Sequence, residues 1–308
     1  MKILIDNSNL FAGGGIQVAN SFINDLKEIN ESNNIYHIIQ SPNSAKSIDK
    51  NKFSKNFIFY DLDDETTKSK TKRIKKVKEI ENKISPNTIF VTFGPSYHKS
   101  SFPKIVGFAI PYIIYSDSPF FEKISFIEKL KYKGLDILKR KMFITNSDVL
   151  IFESPVYVYH VTGSMKAFLD HYGYRWMLHR PEESMFHKQA VCISTAAGAG
   201  MKSTNKDMAD SFFYWGVPKV YKYGVRVMAT SYKDIKPKIK AKIEKDTNKM
   251  AYQIKKNAGH VKTGIKTKIC FYFMRMLHTR GWDEADLAYW SKKGWDREKR
   301  PWKNNKGV

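Results

Sequence analysis

Two stretches of the sequence combine small, rigid and aromatic residues in a way that suits a flat ligand. The first, Glu153-Ser154-Pro155-Val156-Tyr157-Val158-Tyr159-His160, follows the apolar run Asp148-Val149-Leu150-Ile151-Phe152 and leads into Thr162-Gly163-Ser164. Its Ser-Pro step makes a stiff wall, and its tyrosines offer faces on which a heterocycle can stack. The second, Thr195-Ala196-Ala197-Gly198-Ala199-Gly200-Met201, follows Ala190-Val191-Cys192-Ile193-Ser194. Small side chains let backbone N–H groups come close to a ring or a phosphate, and such donors stabilise negative charge that develops there. A third feature is the basic, aromatic segment from Lys266 to Lys303.

Both stretches need elements that aim them at one place. Short apolar runs bounded by polar or turn residues predict strands over 2–5, 35–39, 57–60, 88–92, 105–110, 148–152, 190–194 and 224–229. Helix-period segments lie between most of them, at 16–29, 74–84, 125–141, 164–172 and 208–214. Alternation of this kind predicts an α/β chain with Rossmann-like, mainly parallel sheets. In such sheets ligands sit beyond the carboxyl ends of strands, where both stretches fall. No internal repeat is visible. The lysine-dense segment 66–83 carries Ile74, Val77, Ile80 and Ile84 on one helical face and reads as a solvated amphipathic helix. The segment 120–141 sets Phe120, Ile124, Ile127 and Leu130 among lysines. Core packing with a wet basic face is the preferred reading there, and weak membrane-surface contact is the alternative.

The chain has 308 residues, 42% of them hydrophobic and 14% aromatic, enough for two packed domains. That composition excludes disorder of the chain as a whole. The net charge is +23: residues 1–150 carry 23 basic and 16 acidic side chains, and residues 151–308 carry 30 and 14. Such a field attracts polyanions without choosing among them. No nucleic-acid motif is present, so no specific nucleic-acid partner is expected. Two cysteines, Cys192 and Cys270, exclude a disulfide framework and a four-thiolate zinc site. Cys192 lies in an apolar strand and reads as a buried, inert thiol. His160, His171, His179 and His187 lack metal-ligand spacing and read as surface or loop residues, so no metal is expected. Trp215, Trp282, Trp290, Trp295 and Trp302 are expected to pack the C-terminal segment onto the sheet. With neither a signal-peptide core nor a membrane-spanning run, the expected location is the cytoplasm.

Residues 148–302 resemble the NADPH-dependent FMN reductase family of flavodoxin-like proteins. The resemblance is carried by SPVYVYHVTGSMKAFLDHYGYRWMLHRPE, KQAVCISTAAGAGMKSTNKDM and FYFMRMLHTRGWDEADLAYWSKKGWDREKRPW. It implies FMN and NAD(P)H as cofactors, hydride transfer from the nicotinamide to the flavin, a small-molecule electron acceptor and a homodimer. It also implies that Ser154, Pro155, Val156, Tyr157 and Tyr159 line the flavin ring, and that Thr195, Ala196, Ala197, Gly198 and Gly200 hold its other edge. No catalytic acid or base is implied, because the flavin carries the chemistry. The family's first strand–phosphate loop–helix unit is missing before Asp148.

Residues 1–147 resemble the N-terminal, acceptor-binding domain of a GT-B family 4 glycosyltransferase. The segments are Lys2-Ile3-Leu4-Ile5-Asp6-Asn7-Ser8-Asn9, Gly13-Gly14-Gly15-Ile16-Gln17-Val18-Ala19, Val91-Thr92-Phe93-Gly94-Pro95, 112–119 and Thr145-Asn146-Ser147-Asp148-Val149-Leu150. The expected organisation is therefore a GT-B-type half, 1–147, joined to a flavodoxin-like half, 148–308, truncated at its start. A glycosyltransferase-like protein without its donor-binding domain is the alternative function. Gly13–Gly15 reads as a tight turn, with a phosphate cradle at the following helix as the other possibility.

Overall fold

The computed structural model describes residues 1–11, 14–29, 33–92, 98–107, 125, 147–229 and 234–303. Apart from residue 125, the helix expected over 120–141 lies outside these residues. So do Gly13, 93–95, 112–119, 145–146 and the end of the strand expected over 105–110. The chain divides into two compact units, Met1–Pro111 and Tyr112–Val308.

The first unit is built on a five-stranded sheet. Its strands are β1 (Lys2–Asn7), β2 (Ile35–Gln40), β3 (Phe57–Asp61), β4 (Thr88–Val91) and β5 (Lys104–Val106), in the order β3-β2-β1-β4-β5. Every pairing is parallel. Near-continuous apolar runs such as Ile3-Leu4-Ile5 suit strands buried on both faces. Successive residues serve opposite cores. Leu4 joins Ile39, Ile89, Val91 and, from α4 (Lys70–Ile84), Val77, Ile80 and Ile84. Ile5 joins Ile38, Tyr36, Phe57 and, from α1 (Gly14–Ile29), Ile23. Two short helices, α2 (Pro42–Ala45) and α3 (Asp64–Lys68), complete the described part of this unit. At the carboxyl ends of β1 and β2, paired directly, Asn7 and Gln40 are fully buried. Neither side-chain amide has a hydrogen-bond partner.

The second unit holds three parallel strands, β6 (Val149–Pro155), β7 (Gln189–Ala196) and β8 (Lys219–Arg226), in that order. α5 (Gly163–His171) and α6 (Met201–Tyr214) cover one face. Leu150, Ala190 and Cys192 meet Leu169, Met208, Phe212 and Trp215 there. The opposite face is met by α7 (Pro237–Asn257). Gln189 donates from Nε2 to the Ile254 carbonyl at 2.9 Å and accepts from Tyr221 Oη at 2.9 Å, and Asn257 Nδ2 donates to the same hydroxyl at 3.0 Å.

Among the described residues, eight strands stand where eight were expected; six are shifted by no more than three residues at an end, and β5 can be followed only over its first residues. β8 is the exception: it begins at Lys219, not at 224, because Lys219 and Lys222 interrupt the apolar residues Val220, Tyr221 and Tyr223 and no apolar run forms. α6 likewise begins at Met201, ahead of the 208–214 segment. The C-terminal segment folds as α8 (Ile265–Thr279) and α9 (Glu284–Lys293). Its tryptophans do not pack onto the sheet. Trp290 and Trp295 are fully buried with Phe271, Met177 and Phe186, the last two from the connection between α5 and β7. Trp282 is 54% exposed. No described helix is long and apolar enough to cross a membrane.

Candidate functional site

The parallel register of β6, β7 and β8 brings three strand ends level: Pro155 pairs with Thr195, and Thr195 with Val225. Alternation then decides what faces where. Phe152 turns with Leu150 toward α5 and α6. Ser154 has the same parity; its Oγ accepts from Thr162 N–H at 3.0 Å and donates to the Pro155 carbonyl at 3.0 Å. Thr162 is the N-cap of α5, so Ser154, 1% exposed, ties the strand end to the helix start and does not line the opposite side.

On that opposite side a cavity of about 570 Å³ opens between the strand ends and α7. This lies within the roughly 300–1,000 Å³ of small-molecule sites. Five of the ten sequence-expected residues, Pro155, Val156, Thr195, Ala196 and Ala197, line it. Ile193, Tyr223, Val225, Val227 and Ala229 extend the wall, and Ile235, Ile243 and Thr247 close it. The lining is apolar apart from threonine hydroxyls and the Tyr223 phenol, whose oxygen is buried without a partner. Burial, with Asp246 nearby, pushes the Tyr223 phenol above its usual value.

The loops after β6 and β7 touch one another. Gly200 has φ +100°, and a Cβ there would fall 2.6 Å from Val156 Cγ1 and 3.1 Å from Tyr159 Cα. Only glycine meets both conditions. The Ser203 hydroxyl donates to the Tyr159 carbonyl, and Thr204 Oγ1 donates to it at 3.4 Å. Asp207 accepts from the Val161 N–H at 3.3 Å and lies 3.0 Å from His160 Nδ1. The first turn of α6 therefore clamps the first loop. Gly224, opposite Ser194, lets Met201 approach the sheet: a Cβ there would lie 2.6 Å from Met201 Cβ. Gly198 is different, with nothing within 4 Å of its would-be Cβ.

Between these anchors the chain makes a two-residue hairpin. Tyr157 and His160 exchange backbone hydrogen bonds of 2.9 and 3.0 Å, and Val158 and Tyr159 take φ values of 50° and 67°. Positive φ at both central positions is the demand of a tight hairpin, normally met by Asn-Gly; a β-branched valine there is strained. The turn leaves Tyr157, Val158 and Tyr159 at 67, 83 and 63% exposure. Strain of this kind, held in place by surrounding contacts, concentrates at binding sites.

The sequence model of the family described as NADPH-dependent FMN reductase matches residues 126–229. That span is roughly a third of the chain and contains β6 through β8 with both loops. A comparison with curated proteins gave no match. Among solved structures, the chain is similar to azoreductase AzrA at 10% identity, over 82% of this chain and 100% of that chain, with a TM-score of 0.30. The FMN-dependent NADH-azoreductase from Bacillus anthracis str. Ames Ancestor, in complex with FMN, gives the same four values. A TM-score this low does not establish a shared fold. The family match supports FMN and NAD(P)H as the cofactors of the matched segment. The glycosyltransferase resemblance of residues 1–147 finds no support in these matches.

Other chemistry-bearing residues stay apart from the cavity. Cys192 is buried on the α5/α6 side, where burial pushes its thiol up to about 12. His179 Nδ1 lies 2.8 Å from Asp286, which also pairs with Arg180 at 3.0 Å, in the C-terminal module. His187 Nε2 lies 2.9 Å from the Pro301 carbonyl. The residues missed from sequence are Ile193, Tyr223, Val225, Val227 and Ala229 on the strand side and, with a signal of their own, the far wall of the cavity. That signal was the period of Ile239, Ile243, Thr247, Met250 and Ile254, a helical stripe hidden among lysines.

Proposed function

We propose that residues 148–308 form an FMN-binding, NAD(P)H-dependent oxidoreductase domain, with residues 1–147 as a separate domain. The observation that carries this reading is the contact between the loops after β6 and β7 at the mouth of an apolar cavity. The residues present fit the ring portion of FMN. Pro155 and Val156 supply a rigid wall, and Thr195, Ala196, Ala197, Gly198 and Gly200 supply an edge low enough for backbone donors to approach. Tyr157 and Tyr159 supply exposed aromatic faces. Ser154 acts indirectly, by fixing the turn. Bound FMN would supply hydride transfer from a nicotinamide to a small-molecule acceptor. The protein's own part is to orient the ring, exclude water from one side and place backbone dipoles near it. The α6 N-terminus, which lacks a side-chain cap at Gly200, adds its partial positive charge beside this edge. A homodimer closing over Tyr157, Val158 and Tyr159 would cover three exposed apolar residues.

The test is spectroscopic. Protein purified with added FMN is expected to retain flavin absorbance and to bleach when NADPH is supplied without oxygen. A folded protein that releases all its FMN on desalting contradicts the proposal.

A further inference from the structure

α8 presents two opposite faces. Thr267, Phe271 and His278 turn inward and are buried. Ile265, Ile269, Tyr272 and Phe273 turn outward, at 76, 63, 45 and 51% exposure. At helical spacing these four and Met276 form one stripe, diametrically opposite the buried one. The stripe runs about 17 Å along the helix axis, from the rise per residue. A helix that already buries one side in its own module and is apolar on the other has a second surface to satisfy.

The borders of the stripe are cationic. Lys266 lies along one side, Lys268 and Arg275 along the other, and Arg280 follows the last turn. The Arg300 guanidinium stands 5.0 Å from the centre of the Tyr272 ring and donates to its hydroxyl at 3.1 Å. That hydrogen bond, with Lys303 and Arg275 close by, holds the Tyr272 phenol below its usual value. α8 itself contains no Asp or Glu.

This pattern discriminates between partners. Two copies of the chain meeting stripe to stripe would set Lys266, Arg275, Arg280 and Arg300 against the same cations. An anionic surface turns that repulsion into attraction. Tyr and Phe on an apolar stripe, with Lys and Arg at its margins and Trp282 exposed just beyond the helix end, match a helix lying in the lipid–water boundary. We propose that the outer stripe of α8 seats the protein on an anionic lipid surface. Ile265, Ile269, Tyr272, Phe273 and Met276 enter the acyl boundary shallowly, and Lys266, Lys268, Arg275 and Arg300 meet the lipid phosphates.

The test is cosedimentation of the full chain with vesicles. Sedimentation is expected with phosphatidylcholine mixed with phosphatidylglycerol, and about tenfold less with phosphatidylcholine alone. The double variant Ile269→Asp, Phe273→Asp is expected to lose about tenfold or more on the mixed vesicles with its thermal unfolding unchanged. Lys52→Gln with Lys55→Gln, the same change in charge on the exposed surface of the first unit, is expected to lose far less. Three results would overturn the proposal: no sedimentation of the wild type; equal loss in the two double variants, which reduces the binding to diffuse charge; or a dimer dissolved by the α8 variant without vesicle binding, which gives the stripe to a second copy.

Discussion

Gly200 packs against the backbone of Tyr159, its would-be Cβ only 3.1 Å from the Tyr159 Cα. This one approach joins the loop after β7 to the loop after β6, and through it the two halves of the candidate flavin site. Gly200→Ala must push Val156 aside and hold φ near +100° with a side chain. Strain of this kind costs about 1–3 kcal/mol. The urea midpoint is expected to fall accordingly and FMN binding to weaken. Gly198→Ala meets nothing within 4 Å and is expected to leave the urea midpoint unchanged. Equal falls in the urea midpoint for the two substitutions would contradict the role of this contact.

The hairpin at Val158 stores strain that can be released. Asn adopts positive φ more readily than a β-branched residue, so Val158→Asn should stabilise the fold by about 1 kcal/mol. Chemical denaturation measures this directly. A lower midpoint for Val158→Asn would show that the exposed valine is held by contacts worth more than its strain.

Gln40 tests the first unit. Its amide is fully buried and has no hydrogen-bond partner. An unsatisfied buried amide costs about 1–3 kcal/mol, so Gln40→Met is expected to raise the melting temperature. A fall would mean that the amide satisfies itself in a way that methionine cannot replace.

Lys188 sets a pH dependence. Burial pushes its ammonium down to about 8, against the opposing pull of Asp148 and Glu182. Between about 8 and the ordinary 10.5 the unfolded chain holds a proton that the native protein has released. Stability contributed by this group therefore rises as pH climbs through that window. Cys192, pushed up to about 12 from 9.0, acts in the opposite direction above pH 9. The difference between wild type and Lys188→Met isolates the lysine. Urea midpoints are expected to show the wild type gaining on the variant from pH 8 to 10.5. A constant difference contradicts the assignment.

The strands were legible because strands buried on both faces are written as runs such as Ile3-Leu4-Ile5 and Val149-Leu150-Ile151-Phe152. β8 was half-legible, since Lys219 and Lys222 break up its apolar residues. α7 was hidden for a related reason: no residue of it is fully buried, and its stripe is diluted by lysine. With α7 unread, Ile243 and Thr247 of the cavity wall stayed out of sight, as did Ile235 just before the helix. The near wall, Pro155 to Ala197, could be found because turn chemistry is local. Contacts such as His179 with Asp286, separated by 107 residues, leave no local trace. The turn at Ser154 shows the converse limit: its place in the motif was plain, and its role in holding Thr162 needed the parity of β6.

Calorimetric titration of FMN into the full chain tests the central claim most directly, with riboflavin as the second ligand. Walls that hold the ring predict saturable binding of both, with similar affinity, because the ring is common to the two ligands and the cavity lining is apolar. Gly200→Ala should weaken both alike. A folded protein that gives no heat of association with either ligand contradicts the claim.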